Sequence, residues 1–109
     1  PASIESIPTS GSQEDHVSMG WGAGRKLWDV LSNAARVLAV EVLCACAGIE
    51  CRLPLTPAPA AAAALALVRE RVAPLGDDRP PAPDIAAVAE MIEDGSLVRA
   101  ADEATAGVR

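Results

Sequence analysis

The sequence predicts an all-α chain organised around one long helix, and three observations predict it. No proline occurs between Gln13 and Glu50. Over that span apolar or small residues recur at Val17, Trp21, Gly24, Trp28, Leu31, Ala35, Leu38, Val42, Ala45 and Ile49, in alternating steps of four and three, which is a helical seam. Beyond it, proline and glycine divide the remaining residues into two or three shorter helical tracts.

The elements follow in order. Residues 1–12, with Pro1, Pro8 and Gly11, read as a loop with a short strand-like piece at Ser3–Ile7. The long helix covers about 13–50 (13–51 with its last turn). Ser12 and Asp15 have capping-box spacing at its start, and Gln13, Glu14 and Asp15 fall in its first turn, where the helix dipole favours carboxylates. Gly20, Gly22 and Gly24 each cost up to about 1 kcal/mol against alanine and permit a kink near 20–24. Arg52–Pro59 is a connector. Pro59 suits the first position of a helix over 59–73, with Leu65, Val68 and Val72 along one side. Residues 76–83 form a stiff loop in which Arg79 pairs with Asp77 or Asp78. Asp84 is an N-cap candidate for a helix over 84–94, with the seam Ile85, Val88, Ala89 and Ile92. Gly95 stops it, a short helix follows over 96–104, and 105–109 frays.

From Val37 to Ile49 the only charge is Glu41. That tract is short of the roughly 20 residues of a bilayer span, so it needs protein on every side. A continuous helix over 13–50 would be roughly 57 Å long, against a radius of gyration of about 13 Å for a compact domain of this size. The chain is thus expected to be part of a larger helical bundle, and its start at Pro1-Ala2-Ser3 suggests a piece of a longer protein.

Composition narrows the function classes. Of 109 residues half are hydrophobic, yet the only aromatics are two Trp, and the net charge is −6. No run of Lys or Arg makes a phosphate-binding face, which argues against nucleic acid. No signal-peptide pattern is visible, and a cytoplasmic location without membrane contact is expected. Cys44, Cys46 and Cys51 are an odd number, unsuited to a disulfide framework. On a helix Cys44 and Cys46 point about 200° apart and cannot share one ion. No metal site is expected, and the three read as small buried fillers. A metal-binding module using them with His16 is the weakest alternative.

The densest chemistry is Gln13-Glu14-Asp15-His16. Read from the residues alone, it is a capped, solvated helix start that can also hold a fixed acceptor or base. His16, the only histidine, suits either a base or a structural donor. Ser12 and Ser18 have no visible triad partner. Thr9-Ser10-Gly11 reads as a turn.

Residues 1–20, from Pro1-Ala-Ser-Ile-Glu-Ser through Gln-Glu-Asp-His-Val-Ser-Met-Gly, then Ala23–Lys26, Val37–Glu41, Asp78–Pro80, Ala82–Ile85 and Gly95–Leu97, resemble the C-terminal region of the histidine ammonia-lyases, within the aromatic amino acid lyases. The resemblance covers nearly the whole chain but only about the last fifth of such an enzyme. It implies elimination of ammonia from L-histidine to give trans-urocanate, with Glu14 as the catalytic and substrate-contacting residue near the imidazole and Gln13 beside it in substrate binding. It also implies a homotetramer whose sites draw on several subunits, and a protein-derived methylidene-imidazolone, cyclised from an internal Ala-Ser-Gly. That tripeptide does not occur here, so the ring would form outside this segment, which alone would be inactive. The competing expectation is a non-catalytic helical assembly module in which Gln13–His16 serves only as a cap.

Overall fold

The computed structural model describes residues 1–106. The α-helices are α1 (Gly20–Glu50), α2 (Pro59–Arg71), α3 (Ala82–Glu93) and α4 (Ser96–Thr105), preceded by 3-10 turns at Ala2–Glu5 and Ser10–Ser12. The described residues contain no strand beyond one isolated bridge, so the all-α class is as expected. The chain divides into two compact units, residues 1–34 and 35–109. The expected fraying of 105–109 lies, from residue 107 on, outside the described residues.

In the first unit the long helix starts at Gly20, not at Gln13. Ser10, Gly11 and Ser12 have φ of 51°, 63° and 70°, the left-handed region that costs a non-glycine residue roughly 1–2 kcal/mol. The backbone doubles back there. The amides of a would-be first helical turn are spent on closing a loop: Gln13 N–H donates to the Ser10 carbonyl at 3.2 Å, Glu14 N–H to Thr9 at 3.3 Å and Val17 N–H to Ile7 at 3.3 Å. Pro8 and His16 pair as an antiparallel bridge. The Ser12–Asp15 capping box therefore does not form. Nor does the strand-like piece at Ser3–Ile7, because Ile4 N–H turns back to the Pro1 carbonyl and Ala2–Glu5 tightens into a 3-10 turn. The glycines near 20–24 mark a helix start rather than a kink. Among residues 20–34 no described residue is buried, and Trp21 and Trp28 are 83% and 76% exposed.

The second unit has the core. Ala35, Ala39 and Cys46 of α1 meet Val68 and Val72, Val88, Ala89 and Met91 of α3, and Leu97 of α4, and α4 packs against α2 and α3. The buried stripe of α1 thus runs through 35, 39, 42 and 46; Ala35 and Val42 of the predicted seam lie on it, whereas Leu38 and Ala45 are exposed. The periodicity was shared by more than one face, and the small residues Ala35 and Ala39 lie where this unit's other helices pack. On α2 and α3 the predicted faces do hold: Val68, Val72, Val88 and Ala89 are buried, with Leu65, Ile85 and Ile92 packed against them. Only Cys46 is a buried filler. Its thiol is pushed up by burial, while Cys44 and Cys51 are exposed because they lie off the stripe.

Pro59 opens α2 as expected. α3 begins two residues earlier than predicted, at Ala82 with Pro81 before it, since Pro83 tolerates the first turn, where no amide partner is needed. Asp84 is therefore no N-cap. Its carboxylate accepts from Arg79 Nη2 at 2.8 Å and Nε at 3.1 Å, and Arg79 also donates to the carbonyls of Ala73 and Pro74. Arg79 thus pairs with Asp84, not with Asp77 or Asp78, and ties the end of α2 to the start of α3. Gly95, at φ 74°, separates α3 from α4. Hydrogen bonds from Ser96 hold the Asp94 carboxyl below its ordinary range.

Arg69 of α2 donates Nε to Glu50 Oε1 at 2.6 Å and Nη2 to Oε2 at 2.8 Å, across 19 residues of sequence. The side chains are only 16% and 27% exposed. This two-pronged hydrogen bonding pulls the Glu50 carboxyl below its ordinary value and raises the Arg69 guanidinium. Arg69→Met in the full-length protein is expected to cost about 1–2 kcal/mol. A carboxylate whose folded pKa is depressed stabilises above its unfolded value, about 4.3, and that contribution is lost as pH falls through the folded value. The wild-type and variant denaturation midpoints should therefore differ most at pH 7 and converge in acid below about pH 4. A gap that does not change with pH would assign the effect to the packing of the arginine stem.

Candidate functional site

The candidate site is the closed loop over residues 6–18. Its two limbs are held at three levels. Ser6 Oγ donates to the Val17 carbonyl, Val17 N–H to Ile7, and Glu14 N–H to Thr9. Between them the left-handed Ser10-Gly11-Ser12 turn sends Gln13–His16 back alongside Ile7–Thr9. Gln13, Glu14, Asp15 and His16 are all exposed on this loop.

The Glu14 side chain has a hydrogen-bond partner within the loop. Thr9 Oγ1 donates to Glu14 Oε2 at 2.8 Å, so Thr9 and Glu14 are joined by both a backbone and a side-chain hydrogen bond. An ionised carboxylate has about four acceptor positions, and one is used here. What remains can accept from a ligand N–H or take a proton. Gln13 precedes it in the chain, its own backbone N–H returned to Ser10. Residue types alone could not reveal Thr9: a threonine five positions before a glutamate matches no helical or strand period, and only the loop closure brings them together. Thr9-Ser10-Gly11 is itself the expected turn.

Two other features of the chain carry less chemistry. The second unit has an apolar cavity of about 230 Å³, bordered by Val40, Leu43, Val72, Arg69, Arg79 and Asp84. Both of its arginines already hold carboxylates. Among the described residues no three His, Cys, Asp or Glu side chains converge as metal ligands.

With this geometry in view, the likeness to known proteins can be placed. The aromatic amino acid lyase family model matches residues 1–70. The chain is 57% identical over 107 residues to histidine ammonia-lyase of Symbiobacterium thermophilum, covering 98% of this chain and 21% of that protein. It is 49% identical over 104 residues to that of Sorangium cellulosum, covering 95% and 20%. Thus it spans about a fifth of the length of the curated relatives it matches. Among solved structures, histidine ammonia-lyase from Trypanosoma cruzi aligns with a TM-score of 0.85 and 38% identity, over 95% of this chain and 21% of that one. Tyrosine aminomutase from Streptomyces globisporus aligns with 0.81 and 40%, over 92% and 19%. The helices, the loop and these matches lead to one conclusion: the chain belongs to the aromatic amino acid lyase family.

Proposed function

We propose that this chain is the C-terminal part of a histidine ammonia-lyase, which eliminates ammonia from L-histidine to give trans-urocanate. The observation that carries the proposal is 57% identity over nearly the whole chain to a histidine ammonia-lyase, joined to a Glu14 carboxylate anchored through one oxygen. Glu14 supplies the acceptor for the substrate's imidazole N–H, a charge-assisted hydrogen bond, and Gln13 lies beside it as a second contact. The family's methylidene-imidazolone, when present, supplies the electrophile. The residues here do not fit its formation: Thr9 stands where an alanine is needed, and Ser10 and Gly11 are held in the loop's turn. The ring is therefore formed outside this segment.

α1 serves assembly. Val37, Leu38 and Val40 are exposed, as are the two Trp residues, and a window of the helix with mean hydropathy 1.7 is only 17% buried. By length and composition α1 as a whole is able to cross a bilayer, which its tract over 37–49 alone is too short to do. We read its cover as protein, the other four-fifths of a relative-sized chain and further copies in a cytoplasmic tetramer. Arg36 and Glu41 are exposed on it, and a charge at a bilayer centre costs about 2.5–3.5 kcal/mol on insertion scales.

The test is substrate choice by the full-length protein. Offered L-histidine or L-tyrosine, it should release ammonia from histidine with the ultraviolet absorbance of urocanate. Isomerisation of tyrosine with histidine left untouched would overturn the proposal in favour of an aminomutase.

A further inference from the structure

We propose that Thr9 is the positioning residue of this site: its hydroxyl decides which atom Glu14 presents to the substrate. The inference rests on the reading of Glu14 as the imidazole contact. A glutamate on an exposed loop has three side-chain torsions and would ordinarily sample many rotamers. Here two constraints act together. Glu14 N–H is bonded to the Thr9 carbonyl at 3.3 Å, and Glu14 Oε2 accepts from Thr9 Oγ1 at 2.8 Å. One residue thus holds both the backbone and the carboxylate of Glu14.

The pairing has a direction. Thr9 Oγ1, as donor, occupies Oε2 and leaves Oε1 as the acceptor available to an N–H. If position 14 were Gln, a hydroxyl that goes on donating would hold the amide oxygen and leave the NH₂ for the substrate. The group presented would then be a donor. Thr9 therefore converts the choice of side chain at position 14 into a choice between presenting an acceptor and presenting a donor. That is a specificity device, because a site arranged to hydrogen-bond a substrate N–H rejects a group of the wrong polarity more strongly than apolar fit does. The loop supports this arrangement. The left-handed Ser10-Gly11-Ser12 turn brings Thr9 opposite Glu14, and Ser6 Oγ to the Val17 carbonyl closes its base.

The test is a double-mutant cycle in the full-length protein with L-histidine as substrate. Thr9→Val removes the donor at nearly constant shape and should lower kcat/KM about tenfold or more, the loss expected for a hydrogen bond to a charged group. Thr9→Ser keeps the donor and should recover most of the rate. In the Glu14→Gln background Thr9→Val should add little further loss, since the group Thr9 then aims is a donor that the substrate's N–H cannot use. Thr9→Ala is taken through the same cycle, and thermal midpoints are recorded for every variant, so a folding defect in one does not decide the outcome. If Thr9→Val and Thr9→Ala both match wild type while Glu14→Gln is impaired, the Thr9 inference is wrong and the Glu14 reading stands. The inference also fails if Thr9→Val costs as much in the Glu14→Gln background as in the wild type, because Thr9 then merely holds the loop. Wild-type activity in Glu14→Gln removes both.

Discussion

Glu14→Gln in the full-length protein is expected to lower kcat/KM for L-histidine by about 10²-fold or more, within the range that a positioned acid–base or charge-stabilising group contributes. The substitution keeps the side-chain shape. It also keeps the hydrogen bond from Thr9, because an amide oxygen can replace Oε2 as its acceptor. On the proposed reading, what changes is the atom left for the substrate, from a charged acceptor to a neutral donor, which would meet the imidazole N–H with the wrong polarity. Most of the loss should therefore come from this one atom rather than from disorder of the loop. Glu14→Asp restores the charge but withdraws it by one methylene, and it should fall between the two. Urocanate absorbance under single-substrate kinetics reads all three. Wild-type rates in Glu14→Gln would take Glu14 out of the site altogether.

The second large effect is expected in the core. Met91 is 2% exposed and belongs to the cluster formed with Val68, Val88 and Leu97. Its carbonyl accepts from Ser96 Oγ at 3.2 Å, so it also anchors the junction of α3 and α4. Met91→Ala should cost about 2–4 kcal/mol through lost burial and an unfilled cavity. In the full-length protein this should show as hydrogen exchange of the α4 amides faster by about 10²-fold, with a smaller change in α1. Met91→Leu, which nearly conserves volume, should cost less than about 1.5 kcal/mol. Unchanged exchange in Met91→Ala would mean that α4 is held by contacts outside this cluster.

The parts of the fold that could be read in the residues are those held by near neighbours in sequence. Pro59 at the first position of α2, the left-handed Gly95 between α3 and α4, and the buried faces of α2 and α3 all follow from spacing and backbone preference. The helix start at Gln13 and the capping box were misread for a related reason. Ser12-x-x-Asp15 is a valid local signal, but loop closure between Thr9 and Glu14 and between Ile7 and Val17 claims the same amides. The α1 seam holds only in part, at Ala35 and Val42, because a helix with apolar residues on several faces has more than one acceptable stripe. Which stripe is buried depends on where the other helices come to lie.

The sequence by itself determined the helical class, the two short-helix faces and the Gln13–His16 motif on which family likeness rests, because a helix closes its hydrogen bonds four residues away. Only the tertiary structure decided that the motif lies on a loop, that Thr9 holds Glu14, that Arg69 reaches Glu50 and that Arg79 reaches Asp84. Those pairs join side chains at separations that no helical or strand period marks. They exist because the folded backbone brings a donor to an acceptor, and the free energy of each is set by that placement rather than by the residue types alone.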